Sequence, residues 1–442
     1  MQKPLLPVSS GLLFSQKFYP IFWVQFLGAF NDNLFKNALV MLITFKLSHS
    51  SLDTGLLITL AAGLFILPFF LFSSLAGQIA DHYPKPLLIK KIKLAEVLIM
   101  LLGGLALLSQ ELVLLFFTLF LMGSQSAFFG PIKYSILPEI LDKPELLKGN
   151  GLFSGSTFIA ILFGTILGGI GVLLEGGLWL MSIVILVVAL AGYLFSLRVN
   201  SDFSGDITLK IEWNLFSSTK RMIKESRLHK TAFFSVISIS WFWFIGAVLL
   251  SQIPVLVKYD LHANDNVVIV FLALFSIGIA LGAGAIGRIM SSQAHIRWHW
   301  LMLLGMTVTL LLTVWSISNT NFSHLAYLQD APHGTLLTFT QFVLIWPASI
   351  TLVALGVLAV LGGAYIVPLY TLLQTHTPLA VRARMVAVNN IMNAFLMVLS
   401  ALLLMAGFAL NLSLLEMLFI LALLNMVVMI LVFRKRFIGL EQ

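Results

Sequence analysis

The chain has 442 residues, of which 59% are hydrophobic and only 10% are charged. Soluble domains carry roughly 25% charged residues, so this composition excludes a water-soluble enzyme. The formal net charge of +8 does not by itself indicate a nucleic-acid partner, because the basic residues of polytopic membrane proteins set their orientation. The absence of cysteine excludes disulfides, thiol nucleophiles and Cys-ligated metal sites. We therefore expect a membrane protein with no metal, no cofactor and no nucleic-acid partner.

Apolar runs that are long enough to cross a membrane fall into two groups of six. The first group comprises 20–47, 55–80, 87–109, 111–141, 145–174 and 177–199, and the second comprises 229–257, 266–290, 297–318, 339–374, 378–408 and 411–433. The longest polar segment lies between the groups, and its 216–228 end is predicted to form a surface helix. We predict an all-α polytopic protein of 12 transmembrane helices, with two six-helix bundles (20–199 and 229–434), a cytoplasmic linker (200–228) and cytoplasmic tails (1–19 and 435–442).

The two groups also resemble distant copies of each other. FLGAF at 26–30 resembles FIGAV at 244–248, and Pro131 has a counterpart in Pro368. Because such matches occur in the same order in both halves, they predict a parallel repeat related by a pseudo-two-fold axis.

The distribution of basic residues predicts the orientation. If the N-terminus is cytoplasmic, most of the 26 Lys and Arg residues lie on the inside, including Lys93 between spans 2 and 3. The even number of spans then places both termini in the cytoplasm. Lys36 and Lys133 instead fall inside predicted spans and require a functional explanation.

A polar cluster, GAFNDNLFKNALV at 28–40, lies in the first predicted span, where polar groups are expensive to bury. At 100° per residue, Gln25, Asp32 and Lys36 share one helix face, and their spacing allows Asp32 and Lys36 to form an ion pair. We expect Asp32 to bind a coupling cation, a proton or an ammonium head group, and Lys36 to attract phosphate. An ion pair that only fixes helix packing is the alternative. The other polar residues of the cluster are Asn31, Asn33 and Asn37.

A second cluster, SQSAFFGPIKYSILPEIL at 124–141, combines charge with helix-breaking residues. Gly130-Pro131 and Pro138 are predicted to interrupt the helix, as in transporter binding sites. Alternatively, Lys133 extends to the interface and Glu139 pairs with Lys143. Candidate binding residues here are Lys133, Tyr134 and Glu139, and span 10 repeats the break around Pro368 and adds Tyr370.

The segment GQIADHYPKP at 77–86 joins spans 2 and 3. It resembles the signature loop of the major facilitator superfamily, G-x-x-x-D-R-x-G-R-R/K, although His82 and Pro84 replace the usual arginine and glycine. The resemblance implies a cytoplasmic gate formed by Gly77, Asp81 and Lys85; an ordinary tight turn is the alternative. Further along the chain, Arg382 and Arg384 either contact lipid phosphates or only set topology.

Enzyme motifs find little support. His49 precedes Asp53 by four positions, which does not fit the His-x-x-x-x-Asp pair of glycerolipid acyltransferases. The chain also lacks a phosphate loop, H-E-x-x-H and G-x-S-x-G. In GTILGG, Gly164 and Gly168 are spaced for close helix packing, and we assign no chemistry to them.

The segments GAFNDNLFKNALV, SAFFGPIKYSILPEIL and GGAYIVPLYTLLQTHTPLAVRARMVAVNNIMNA together resemble the lysophospholipid transporter (LplT-type) family of the major facilitator superfamily. The closest resemblance is to members fused to an acyltransferase and acyl-ACP synthetase. It implies flipping of lysophosphatidylethanolamine and related lysolipids to the cytoplasmic leaflet of the bacterial inner membrane, by alternating access, for re-acylation. The enzyme is then expected to be a separate cytoplasmic partner, and the transporter a monomer driven by Na+ or H+.

Two other functions fit the same residues. The first is an exporter of a soluble drug, siderophore or metabolite, built on the same fold. The second is a non-transporting scaffold that holds an acyltransferase through the basic 200–230 segment. The paired charges inside the membrane favour transport over a scaffold.

Overall fold

The computed structural model describes residues 11–47, 51–202, 204–289, 299–320 and 336–437. Parts of the predicted tails (1–10 and 438–442) lie outside the described residues, as do residues 321–335 between the predicted spans 297–318 and 339–374. His49 lies outside them as well.

Helices account for nearly all of the described chain. After a 3-10 turn (Leu12–Phe14), the first half contains α1 (Tyr19–Leu42) with a π-helical turn (Ile43–Leu47), α2 (Ser51–His82), α3 (Lys85–Ser109), α4 (Leu112–Ser135), α5 (Leu137–Ile140), α6 (Lys143–Gly171) and α7 (Gly177–Ser196). The linker contains α8 (Leu215–Ser226). The second half contains α9 (Lys230–Val255) with a π-helical turn (Leu256–Asp260), α10 (Asp265–Ile289), α11 (His299–Ser318), α12 (Phe339–Leu344), α13 (Trp346–Thr375), a 3-10 turn (Leu379–Val381), α14 (Arg382–Ala409) and α15 (Leu414–Phe437).

These helices confirm the predicted all-α membrane protein. Eleven helical segments among the described residues are long and apolar enough to cross a membrane. α1 is not one of the eleven, although it has 24 residues, because its asparagines, Asp32 and Lys36 lower its mean hydropathy. The helix predicted in the linker is confirmed as α8.

Local signals in the sequence explain where two helices begin. α6 starts with a capping box, in which the Glu145 side chain accepts from the backbone N–H of Asp142 at 3.3 Å. The N-cap of α8 is Asn214, whose side chain accepts from the backbone N–H of Ser217 at 3.1 Å. Both caps therefore fix helix starts next to the cytoplasmic segments predicted from the sequence.

Two proline predictions are wrong. α4 continues through Pro131 and breaks only at Ile136, and α13 continues through Pro368. A proline removes one helical hydrogen bond, and a membrane helix tolerates this where neighbouring helices surround it. Pro138 does follow a break, because it lies in the first turn of α5, where its missing N–H costs nothing.

The described chain forms two compact units. The first comprises Met1–Gly149, Phe163–Lys230 and Gln374–Ile391, and the second comprises Asn150–Leu162, Thr231–Leu373 and Met392–Gln442. The first unit thus includes the start of α14. Because the units combine segments of both sequence halves, the domain boundaries predicted from hydropathy stay a prediction.

The core of the first unit joins α1, α3, α4 and α7. Leu34 and Phe35 of α1 are fully buried there, together with Met100 of α3, Leu119 of α4 and Ile185 of α7. This packing places the polar residues of α1 against α3 and α4.

In the second unit, Asn425 of α15 links two other helices. Its side-chain oxygen accepts from the indole N–H of Trp241 in α9 at 2.9 Å, and its amide donates to Thr307 of α11 at 2.9 Å. A buried amide thus connects three helices through hydrogen bonds that hydrocarbon could not supply.

The close packing predicted for Gly164 and Gly168 is confirmed. A Cβ atom at either position would collide with the backbone of α1, at Phe30 and Leu34 respectively. The two glycines therefore let α6 approach α1 more closely than any larger residue allows.

We expect Gly168→Val to lower the melting temperature of the purified protein strongly, because a side chain at this position would push α6 away from α1. The matched control is Gly169→Val, since a Cβ there meets only the Met41 side chain at 3.6 Å. Equal melting temperatures for the two variants, measured in detergent, would contradict the close contact.

Candidate functional site

Two sets of hydrogen bonds lie side by side in the interior of the first unit, one between α1 and α4 and the other between α4 and α3. The Ser126 hydroxyl donates to Asp32 Oδ2 at 2.6 Å, and its oxygen lies 3.2 Å from the side-chain oxygen of Gln125. The Gln125 amide donates to Glu96 Oε2 at 2.9 Å, and the Lys93 ammonium donates to the same oxygen at 2.6 Å. We call these five residues the polar network.

The polar network holds a buried ion pair. The side chains of Lys93 and Glu96 are 0% and 3% exposed. α1 leaves room for the lysine, because a Cβ at Gly28 would lie 2.6 Å from Lys93 Nζ. The ammonium group also lies 5.1 Å from the centroid of the Phe129 ring, a cation–π contact. The Lys93 ammonium is thus in contact with both a carboxylate and an aromatic ring.

Lys93 corrects a sequence interpretation. We assigned it to the cytoplasmic segment, but it lies eight residues inside α3, about 12 Å from the start of the helix. Lys36 and Lys133 are therefore not the only lysines inside the spans. The signal was present in the sequence, because Lys93 and Glu96 are three residues apart and Glu96 stands in an apolar run.

Asp32 and Lys36 do not form the predicted ion pair, although both side chains are described. Asp32 binds Ser126 instead, and the Lys36 ammonium donates to the side-chain oxygen of Asn33 at 3.0 Å. Lys36 Nζ also lies 5.6 Å from the centroid of the Phe65 ring. Asp32 and Lys36 thus have different hydrogen-bond partners and do not contact each other directly.

The asparagines of α1 fasten the helix to its neighbours. The Asn31 amide donates to the Ile185 carbonyl of α7 at 3.2 Å, and the Asn37 amide donates to the Thr165 hydroxyl of α6 at 3.1 Å. The Asn33 amide donates to the Ala29 carbonyl at 2.8 Å. Of the predicted binding residues, Asn31 and Asn37 therefore have packing contacts that account for them, and Gln25 is buried in the same helix.

Charges around Asp32 act on one another. Lys36, Lys93 and Glu96 interact electrostatically with Asp32, and Lys133 interacts with Asp32 and Lys93. Three lysines and two acidic residues therefore lie close enough to influence one another. Within the described residues, no group of three or more His, Asp or Glu side chains could hold a metal ion.

The second polar site surrounds Asp81 at the end of α2. Its carboxylate accepts from the backbone N–H of Ala383 at 2.9 Å, the N–H of Arg384 at 3.1 Å and the Arg384 guanidinium at 3.1 Å. These amides belong to the first turn of α14, where the helix dipole favours a negative charge. Gly77, one turn earlier, lets α2 approach, because a Cβ there would meet Ala387 at 2.7 Å. The structure defines the hydrogen bonds of Asp81, whereas the gate role of Gly77 and Asp81 stays a prediction.

Lys85, the third residue predicted for the gate, has a different acidic partner. Its ammonium donates to Glu139 at 2.5 Å, and Glu139 also accepts from the Ser201 hydroxyl at 2.6 Å. The Glu139 side chain is 3% exposed, so this is a second buried ion pair. Glu139 therefore pairs with Lys85 rather than with Lys143.

Arg382 and Arg384 both have protein partners. Arg382 donates to the carbonyls of Gln374 and Thr377 at 3.1 and 3.3 Å, near the C-terminal end of α13. The Gln374 amide in turn donates to the Tyr134 carbonyl at 2.9 Å. The predicted contact of the two arginines with lipid phosphate stays a prediction.

Three predicted binding residues remain, Lys133, Tyr134 and Tyr370. Lys133 Nζ is 5.3 Å from the centroid of the Tyr134 ring. Tyr370 is buried on α13 in the second unit.

The linker packs against the end of α2. The Gln78 amide donates to the Ser218 hydroxyl of α8 at 2.7 Å, and the backbone N–H of Asp206 donates to the Asp81 carbonyl at 2.9 Å. Hydrogen bonds from the Thr208 side chain and backbone hold the pKa of the exposed Asp206 below its usual value. The linker is thus an ordered part of the first unit.

Removing one member of the buried ion pair is expected to destabilise the protein strongly. Glu96→Ala leaves Lys93 buried without its carboxylate, which costs roughly 3–5 kcal/mol of unfolding free energy. Lys93→Met/Glu96→Leu removes both charges and should recover more than half of that loss. The exposed Glu111→Ala serves as the control, with a change within about 0.5 kcal/mol. Chemical denaturation in detergent measures these values, and a double variant as unstable as Glu96→Ala would contradict the pairing.

Asp81 and Arg384 are expected to be energetically coupled. In a double-mutant cycle of Asp81→Asn and Arg384→Ala, we expect roughly 0.5–3 kcal/mol of coupling in the unfolding free energy. The comparison cycle uses Arg221→Ala and Glu212→Ala, a pair 2.7 Å apart whose side chains are 52% and 23% exposed, and its coupling should stay below about 1 kcal/mol. Strictly additive effects of Asp81→Asn and Arg384→Ala would show that the two side chains do not interact.

Several curated relatives carry the same name. The chain is 29% identical over 325 residues to "Lysophospholipid transporter LplT" of Photorhabdus laumondii, covering 70% of this chain and 69% of the relative. It is 28% identical over 397 residues to the protein of that name from Serratia proteamaculans, covering 88% and 87%. The resemblance seen in the sequence motifs is thus confirmed.

Solved structures and a family model agree on the fold. A bacterial homologue of the iron transporter ferroportin, in its outward-facing state, matches with a TM-score of 0.65 at 15% identity over 94% of this chain and 98% of that one. The transporter FucP, in its outward conformation, matches with a TM-score of 0.68 at 11% identity over 94% and 97%. Residues 21–329 match the family model of the Major Facilitator Superfamily. The chain therefore belongs to this superfamily of transporters, as its motifs predicted, and is not an enzyme.

Proposed function

We propose that the chain is a secondary-active transporter of lysophospholipids. It moves lysophosphatidylethanolamine and related lysolipids to the cytoplasmic leaflet of the bacterial inner membrane by alternating access. The similarity to proteins named lysophospholipid transporters supports the substrate. Re-acylation by a separate cytoplasmic acyltransferase follows from this proposal.

The polar network is the observation that carries the proposal. A lysophosphatidylethanolamine head carries a phosphate and an ammonium group, and the site offers Lys36 for the first and Asp32 for the second. Asp32 shares its carboxylate only with a hydroxyl, Ser126, so the acid has not been neutralised by direct contact with a lysine. Buried charges are expensive inside a membrane, and such residues usually mark a transport pathway.

The coupling ion also has a candidate position. Glu96 Oε1 is buried and accepts no hydrogen bond from any described residue, although Oε2 of the same carboxylate accepts two. A proton or a Na+ ion at Oε1 would satisfy this oxygen. Gln125, which binds this carboxylate, is adjacent in α4 to Ser126, which binds Asp32, so the ion site and the substrate site would be neighbours.

We expect Asp32→Asn and Ser126→Ala to reduce lysolipid flux, because each removes a hydrogen bond to a charged group, worth roughly 1.5–3 kcal/mol. This corresponds to about a ten- to hundredfold loss. The assay is inward movement of labelled lysophosphatidylethanolamine in proteoliposomes, with and without a Na+ or H+ gradient. Asp202→Asn, which makes the same change at an exposed linker residue, should transport normally.

The flux assay also distinguishes the lysolipid transporter from the two alternatives, an exporter of a soluble compound and a scaffold. Normal flux in Asp32→Asn would refute the assigned site. Absence of lysolipid flux in the unmodified protein under both gradients would refute the substrate. A soluble substrate moved by the same proteoliposomes would then identify an exporter, and binding of an acyltransferase without any flux would identify a scaffold.

A further inference from the structure

An apolar groove lies on the outside of the first unit, between α8 and two membrane-spanning helices. Its volume is about 600 Å³, within the usual range of roughly 300–1,000 Å³ for ligand pockets. Phe70 and Leu71 of α2 and Ile391 of α14 form its inner wall. Leu215 and Ile223 of α8 form the wall on the linker side. The groove is thus at the membrane, because its inner wall belongs to predicted spans.

Basic side chains form one edge of the groove. Lys220, Lys224 and Arg227 line it, and none of its lining residues is acidic. The acidic residue of this helix, Glu225, lies on another side of α8, 3.8 Å from Arg221 and 3.9 Å from Arg384. The groove therefore combines apolar walls with a purely positive rim.

α8 is held in position by its opposite face. Ser218, Met222 and Ser226 are buried at four-residue spacing, and Gln78 of α2 donates to Ser218. This leaves the lysines exposed and Phe216 84% exposed on the helix surface. An amphipathic helix with lysines beside exposed aromatic residues is typical of a segment lying in the membrane interface.

We propose that this groove binds an anionic diacyl phospholipid of the cytoplasmic leaflet. Lys220 and Lys224 hold the phosphate, with Arg227 completing the positive rim, and an acyl chain occupies the space between Leu71, Ile223 and Ile391. The charge of the rim selects an anionic head over a zwitterionic one, because each basic residue at a membrane surface contributes attraction to anionic lipid. This site is separate from the polar network, so the proposal does not depend on the transported substrate.

Because the chain contains no cysteine, a single introduced cysteine can be labelled selectively. Thr219→Cys places a single fluorescent label in the groove. Val187→Cys places one on α7, at a side chain that is 56% exposed. Each labelled protein is reconstituted in phosphatidylcholine vesicles that contain dibrominated phosphatidylglycerol or dibrominated phosphatidylcholine. Bromines quench the label only where that lipid lies next to it.

We expect phosphatidylglycerol to quench the label at position 219 more strongly than phosphatidylcholine at equal mole fraction, and the two lipids to quench equally at position 187. Lys220→Gln/Lys224→Gln should lower the relative association constant of phosphatidylglycerol by about 25-fold, at about fivefold for each lysine. Lys143→Gln/Lys210→Gln makes the same charge change at exposed residues away from the groove and should leave the preference intact.

Three further results decide the proposal. Leu71→Trp, which fills the groove, should reduce quenching at position 219 by both lipids. Soluble glycerol phosphate should not displace the lipid, since it lacks an acyl chain. Equal quenching by both lipids at position 219, or an equal loss of preference in the two double-lysine variants, would overturn the proposal, because the groove would then have no selectivity of its own.

Discussion

The carboxylate of Glu96 is the interaction on which the polar interior of the first unit depends. A single oxygen accepts from the Lys93 ammonium and from the Gln125 amide, and thereby joins α3 to α4. Hydrocarbon provides no water for these groups, so each must be satisfied by the protein. Because Gln125 and Ser126 are adjacent in α4, the position of Glu96 also determines where Ser126 presents its hydroxyl to Asp32. The hydrogen bond of Asp32 in α1 thus depends on Glu96, a residue of α3.

A buried carboxylate at the end of α2 is also satisfied by the protein, but by different groups. Asp81 is fully buried, and much of its compensation comes from backbone amides at the start of α14 rather than from a lysine. A bond to a helix N-terminus can be made or lost as a unit when the helix moves, whereas the buried Lys93–Glu96 pair is costly to separate. The first unit thus compensates one buried carboxylate with a lysine and another largely with backbone amides.

The sequence predicted the helices well, since every apolar run corresponds to one long helix or to a long helix and a short one. It also located the buried polar residues of α1, because charged residues in an apolar segment are conspicuous, but the predicted Asp32–Lys36 ion pair is wrong. It failed where the partner is remote in the chain. Asp32 pairs with Ser126, 94 positions away, and Lys85 pairs with Glu139, 54 positions away. Helical spacing identifies residues that share a face, but it does not identify which face of another helix they meet.

Lys93 illustrates the limit most clearly. It follows Lys90 and Lys91 in the sequence, and charge counting therefore assigned all three to the cytoplasmic surface. Burial differs along the helix, because Lys91 is exposed whereas Lys93 is completely buried against Gly28 of α1 and Glu96. The glycine makes the difference: a larger residue at position 28 would exclude the ammonium group. A lysine next to a membrane boundary therefore has to be judged together with the small residues that face it, and these are known only once the helices are packed.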